Sequence, residues 1–228
     1  MQAAANPRTL IDAIVPHYRP DDRVYAIARD IAIMVGFALF VSLCAQIAIR
    51  LPWTPVPITG QTFAVLVTGG ALGAWRGAGS LTIYMLMGSM CMPVFAPGAE
   101  ATGGAWDAHF ILPWSGSCGL VWSLSSGGYI VGFIAAAALV GWLAERGWDR
   151  KQWVHLSMFL GNAVLYIPGL IWLNIDAADG DWAKTLEWGL YPFIVGDMMK
   201  LFLASLTLPA AWVLVAKLRG RGDGGGDT

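Results

Sequence analysis

Tyr191-Pro-Phe-Ile-Val-Gly-Asp-Met-Met-Lys200, followed by 16 uncharged residues from Leu201 to Ala216, is the stretch on which the reading of this chain turns. One helix needs about 20 apolar residues to cross the hydrocarbon core of a bilayer. Asp197 and Lys200 interrupt this run at i, i+3 spacing, which puts both on one helix face. A charge at membrane depth costs about 2.5–3.5 kcal/mol on insertion scales, so ionisable residues there are rare and turn toward the bundle interior. Two readings stand. The pair is a structural ion pair near the headgroups, or a fixed anion and cation lining a cavity for a small polar or zwitterion-like ligand.

The rest of the chain has the composition that such a run demands. Its 228 residues are 57% hydrophobic and only 13% charged, against about 25% charged in soluble domains. The net charge of -1 gives no electrostatic footprint for nucleic acid. The organisation expected is one membrane domain over residues 26–217. A polar cytoplasmic or interfacial segment (1–25) precedes it, and a glycine-rich flexible cytoplasmic tail (218–228) follows. The first 23 residues hold three prolines and acidic residues, unlike a cleavable signal peptide.

Charge-free runs mark six spans: 31–49, 51–75, 77–97, 127–144, 154–173 and 196–216. The second has a proline-rich entrance (Pro52, Pro55, Pro57) that shortens its helix. With the amino end in the cytoplasm, the inner side collects Arg8, Arg19, Arg23, Arg29, Arg76, Arg146, Arg150, Lys151, Lys217, Arg219 and Arg221, which is 11 of the 14 cations. That is a strong positive-inside bias. The fold class expected is therefore an all-α integral membrane protein of six transmembrane helices, with both termini cytoplasmic, in the cell (inner) membrane. Asp197 and Lys200 then fall near the outer end of span six. The segments 54–63, 92–97 and 126–133, none of which entered the charge count, gather at the same mouth.

Several residues there could contact a ligand. Gln61 can donate and accept hydrogen bonds, or serve as a cap or interhelical bond. Tyr129 could line the cavity or anchor the interface. Asn162 and Tyr166 lie one turn apart on span five, and Asn162 equally suits a bond to a neighbouring helix. The linker from Ala96 to Ser126 carries Trp106, Phe110, Trp114 and Trp122, as a lid does or an interfacial aromatic belt. His109 in that linker is read as exposed. Cys44, Cys91 and Cys118 form no disulfide framework or metal spacing; a Cys91–Cys118 pair is the minor reading, behind free buried thiols. Ala28, Ala32 and Gly36, at four-residue spacing, permit close helix approach, either within the bundle or to a partner subunit.

Catalysis has little support. His17, His109 and His155 form no metal motif, and no nucleophile signature is present. Without a Walker A motif, import would draw energy from partners or a gradient. No cofactor or metal is expected.

Taken in order, Pro52-Trp-Thr-Pro-Val-Pro-Ile-Thr-Gly-Gln-Thr-Phe63, Leu72-Gly-Ala-Trp-Arg-Gly77, Tyr84-Met-Leu-Met-Gly88, Met92-Pro-Val-Phe95, Gly127-Gly-Tyr-Ile-Val-Gly-Phe133 and Pro192-Phe-Ile-Val-Gly-Asp-Met-Met-Lys200 closely resemble the BioY family. These are the biotin-specific S-components of energy-coupling factor transporters, and the resemblance covers residues 26–217. It implies a six-helix S-component bundle that captures biotin from outside. It also implies partnership with a transmembrane T-component and cytoplasmic ATP-binding subunits. Ala28, Ala32 and Gly36 resemble the family's docking stripe for the T-component. In this light Asp197 accepts ureido N–H bonds, and Lys200 meets either the carboxylate or the ureido oxygen. Gln61, Asn162, Tyr129 and Tyr166 complete the ligand set, with the linker tryptophans over the thioether ring. A self-sufficient secondary transporter, an S-component for another vitamin, and a small membrane enzyme or assembly factor are the competing readings.

Overall fold

The computed structural model describes residues 7–15, 23–97, 107–150 and 152–222. Eight α-helices appear among them: α1 Leu10–Ile14, α2 Arg23–Ala45, α3 Gln61–Leu72, α4 Ala74–Ser89, α5 Gly127–Ala144, α6 Val154–Asp176, α7 Trp182–Gly189 and α8 Ile194–Gly222. Among the described residues, four segments are long and apolar enough to cross a membrane: α2, α5, α6 and the stretch Trp182–Arg219, which holds α7 and most of α8. The surface is inverted relative to that of a soluble protein. Ile27, Leu39, Ile167, Ile171, Phe202 and Leu214 face outward. Buried Ser42 and Thr68 donate back to the Ala38 and Ala64 carbonyls of their own helices at 2.8 and 2.7 Å. Hydrocarbon leaves no solvent partner for a polar group, so polar atoms are satisfied inside the protein.

Small residues set how the helices pack. A Cβ on Gly69 of α3 would lie 2.6 Å from the Ala137 carbonyl oxygen of α5, so the two backbones touch. Gly73 alone separates α3 from α4, at φ +85, a conformation that glycine enters without Cβ penalty. The free start of α4 is then capped from α5's end, where Glu145 Oε1 accepts from the Ala74 amide at 2.8 Å.

Three departures from the sequence reading have local causes. The prolines at 52, 55 and 57 keep 51–60 out of the helix, and α3 begins only at Gln61. The chain after α2 is extended as well. Strand β1 (Ala48–Arg50) pairs antiparallel with β2 (Ile58–Thr59) and β4 (Asp107–His109); β3 (Phe95–Pro97) pairs with β5 (Gly116–Ser117). The bundle is thus mostly helical rather than all-α, with two small sheets at the end where α2 finishes and α8 begins. At the other end α8 stays helical to Gly222; residues 223–228 of the expected tail lie outside the described residues.

The linker is fastened rather than loose. Cys91 and Cys118 form a disulfide, which corrects the expectation of free thiols; Cys44 stays free and buried. β3–β5 pairing brings the two cysteines together, a contact that spacing alone does not reveal. Trp114 Nε1 donates to the Pro93 carbonyl at 2.7 Å. Buried Gln46 donates to the Phe95 carbonyl and accepts from the Ser115 amide. His109 is not a free loop histidine: its Nδ1 and Nε2 lie 2.8 and 2.9 Å from the carbonyl oxygens of Gln46 and Pro113.

The opposite end is closed by charge. Arg76 Nη1 of α4 bonds Asp12 Oδ1 of α1 at 2.8 Å, and its Nε lies 3.2 Å from Asp30 Oδ1, an ion contact not aligned as a hydrogen bond. Arg29 meets the same Asp30 at 2.8 Å. In the α5–α6 turn, Asp149 accepts from Trp212 Nε1 of α8 and pairs with Arg150. Burial pushes the Asp149 carboxyl above its usual range, and the Trp212 and Arg150 contacts oppose that rise.

Candidate ligand cavity at the mouth of the bundle

A cavity of about 300 Å³ opens between the two small sheets and the ends of α3, α5, α6 and α8. That is the lower end of the size range for small-molecule sites. Its floor is the amino end of α3, Gln61 and Thr62. Tyr129, Ile130 and Phe133 of α5, Leu165 of α6 and Phe193 before α8 make an apolar side. The remaining wall carries Asp197, Lys200, Arg50 and Ser123–Ser126.

The charged pair is organised around a buried acid. Asp197 is 3% exposed. Its Oδ1 accepts from Lys200 Nζ at 2.9 Å and its Oδ2 from the Tyr166 hydroxyl at 2.6 Å. A carboxylate has room for about four hydrogen bonds, so both oxygens keep capacity for a ligand N–H. Lys200 likewise keeps two N–H donors beyond the one given to Asp197. Tyr166 meets Tyr129 edge to face at 5.8 Å between ring centres, and the Tyr129 hydroxyl donates to the Gly189 carbonyl at 2.8 Å. The buried Tyr129 ring and the half-buried Tyr166 ring, each bonded through its hydroxyl, hold the acid in a fixed place.

Five of the six residues expected to contact a ligand therefore line one cavity: Gln61, Tyr129, Tyr166, Asp197 and Lys200. Gln61 is partly engaged, with Oε1 accepting from Thr59 and Nε2 donating to the Tyr84 hydroxyl at 2.6 Å. One amide hydrogen remains for a ligand. Asn162 lies elsewhere, on a groove of about 610 Å³ between α6, α7 and α8, where its buried Oδ1 has no hydrogen-bond partner. Neither Trp114 nor Trp122 lines the cavity, and Trp106 lies outside the described residues.

Arg50 is a cavity residue that sequence reasoning passed over. It is one of the three cations left outside the inner set, and pairing of β1 with β2 and β4 carries it to the rim. Its Nη1 bonds the Pro97 carbonyl at 3.3 Å, which leaves most of a five-donor guanidinium free. A charge beside a run of prolines and turn residues was the available signal. Ala28, Ala32 and Gly36 all face outward on α2, and a Cβ on Gly36 would meet nothing within 4 Å, so the stripe is not used for packing within the bundle.

Comparison with known proteins gives consistent matches. A solved structure described as the S-component for biotin from an ECF-type ABC transporter superposes over 86% of this chain and 93% of its own length, with a TM-score of 0.64 at 21% identity, which establishes a shared fold. The biotin transporter BioY of Thermotoga maritima is 33% identical over 69% of this chain and 82% of its own length. The probable biotin transporter BioY of Pyrococcus horikoshii is 32% identical over 76% and 90%. These relatives are transporters rather than enzymes, in line with the sequence reading. The BioY family model matches residues 15–108 and 110–217. With its helices apolar outward and a charged pair at the cavity in its mouth, this multi-pass protein of the cell membrane belongs to the BioY family.

Proposed function

We propose that this chain is the biotin-capturing S-component of a vitamin uptake transporter, binding biotin at the cavity and passing it inward when coupled to a T-component and cytoplasmic ATP-binding subunits. The observation that carries the reading is the Asp197–Lys200 pair, its carboxylate buried and braced by Tyr166, on the wall of a small cavity. A ureido ring offers two N–H donors and one strong carbonyl acceptor side by side. Asp197 takes the N–H groups and Lys200 donates to the carbonyl oxygen. The thioether ring lies against Phe133, Tyr129 and Phe193, and the valerate carboxylate reaches Arg50 at the rim. Charge-assisted bonds in a dry site are roughly twice as strong as neutral ones.

The wider architecture follows the same reading. Six helices (α2 to α6 and α8) form the membrane domain, the mouth faces outside, and both termini are cytoplasmic, as the distribution of cations supports. α3 and α4, joined by Gly73, act as two short inner helices. The exposed stripe Ala28, Ala32 and Gly36 is the docking face for the T-component, because a line of small residues lets a second helix approach closely.

Calorimetry on the purified chain in detergent tests the assignment, with biotin, desthiobiotin and thiamin as ligands. Tight biotin binding with thiamin silent is expected. Folded protein that binds thiamin instead, or none of the three, overturns it.

A further inference from the structure

The ligand cavity and the groove between α6, α7 and α8 share two lining residues, Tyr166 and Asp197. The groove is a different environment. Ile167, Ile171, Ile194 and Met198 line it and are themselves exposed on the apolar outer surface, so it is continuous with the face that meets hydrocarbon. Such a groove suits the acyl chain of a membrane lipid. A partly polar cavity and an apolar groove therefore stand one side chain apart.

We infer that Tyr166 is a partition residue: its ring, reaching from α6 to Asp197 on α8, keeps lipid acyl chains out of the ligand cavity. Two contacts and its size suit it to that task. Its hydroxyl donates to Asp197 Oδ2 at 2.6 Å and aims the ring across the gap. Its ring is seated on Tyr129, which is itself bonded to the Gly189 carbonyl. It is the larger of the two shared residues, so its removal joins the two spaces. An acyl chain admitted there would lie against Phe133 and Ile130, the apolar side on which a ligand must pack. Tyr166 thus acts as a specificity-determining residue by exclusion, beyond any direct contact. The inference rests on the cavity being the ligand site only for its consequence; the partition itself is independent of which ligand binds.

The test is photolabelling in nanodiscs made with a phosphatidylcholine that carries a diazirine on one acyl chain, with crosslinked residues mapped by mass spectrometry. In the wild type, label is expected on groove residues such as Ile167 and Ile194 and not on Thr62 or Phe133. Tyr166→Phe keeps the ring and should keep that pattern. Tyr166→Ala should move label onto Thr62 and Phe133, and saturating biotin should then suppress it. Tyr166→Leu, which keeps apolar bulk on α6 without reaching α8, serves if the alanine variant melts below working temperature. Cavity label in the wild type, cavity label in Tyr166→Phe equal to that in Tyr166→Ala, or a clean cavity in the folded truncated variants each overturns the partition. Biotin binding enters only in the suppression step, so failure of the biotin assignment reads separately.

Discussion

At the end of the bundle away from the mouth, Arg76, Asp12, Asp30 and Arg29 neutralise one another in direct contact, whereas Asp197, Lys200 and Arg50 face about 300 Å³ of open cavity. Both sets are drawn from the same few charges of an apolar chain, and both contain ion pairs of 2.8–2.9 Å. The difference lies in what surrounds the pair. A closed network ties α1, α2 and α4 together and leaves nothing for a ligand. A pair with spare lone pairs and spare donors, beside a cavity, has what the proposed biotin site requires. Length of an ion pair therefore says little about its role; unspent hydrogen-bonding capacity at a cavity wall says more.

That contrast can be broken by substitution. Lys200→Ala leaves a carboxylate buried without its cation, a change that costs about 3–5 kcal/mol in buried pairs; calorimetry should show biotin affinity falling by at least a hundredfold. Asp197→Asn keeps an acceptor and should lose about 1–3 kcal/mol. Wild-type affinity in both would assign the pair to structure alone. Cys91→Ser/Cys118→Ser, or treatment with a dithiol, frees the linker over β3 and β5. Crosslinks of this loop size hold about 2–4 kcal/mol, and biotin dissociation should quicken with little change in association; an unaltered off-rate separates the linker from the site.

Smaller effects sharpen the comparison. Arg50→Gln should weaken biotin by about 1–3 kcal/mol, the value of a charge-assisted bond, and leave biotin amide nearly unaffected; equal losses for both ligands exclude a carboxylate contact. Arg76→Gln opens the far network and should lower the melting temperature while leaving the biotin dissociation constant within twofold. Asp149→Asn tests the pH dependence. Because burial raises this carboxyl in the folded state, its contribution to stability is complete below the ordinary carboxylate pKa and is lost as pH rises through the raised value. The asparagine variant should flatten that part of a pH–melting profile by less than the other changes.

Much of the site was legible because the bilayer makes certain residues conspicuous. Asp197 and Lys200 stand out in an uncharged run, and the prolines at 52–57 mark where a helix cannot begin. Helix phase carried the rest less well. Asn162 and Tyr166 share a face at four-residue spacing, yet only Tyr166 lines the cavity, because Asn162 falls one turn along α6 from where Tyr166 meets Asp197. The strands were invisible for a different reason. Ala48 pairs with Thr59 and with His109, contacts too distant in sequence and too short to leave a period-two pattern. Arg50 and the Cys91–Cys118 bond depend on those pairings and were hidden with them. The α3–α4 boundary was read at Arg76, between the second and third spans, three residues beyond Gly73, because the charge was conspicuous and a single joining glycine was not.

α3 is the most enclosed helix of the bundle, with 11 of its 12 residues buried. At 1.5 Å per residue it measures about 18 Å, whereas the hydrocarbon core is about 30 Å deep. The helices packed around it are longer, from 16 residues in α4 to 29 in α8, so the central column ends before they do. The vestibule is that missing height, a space the bundle never had to carve from packed side chains. The blunt amino end of α3, with no side-chain cap at Gly60, then directs the positive pole of the helix upward into it. Three turns of helix set the vessel's depth, and a fourth would fill it.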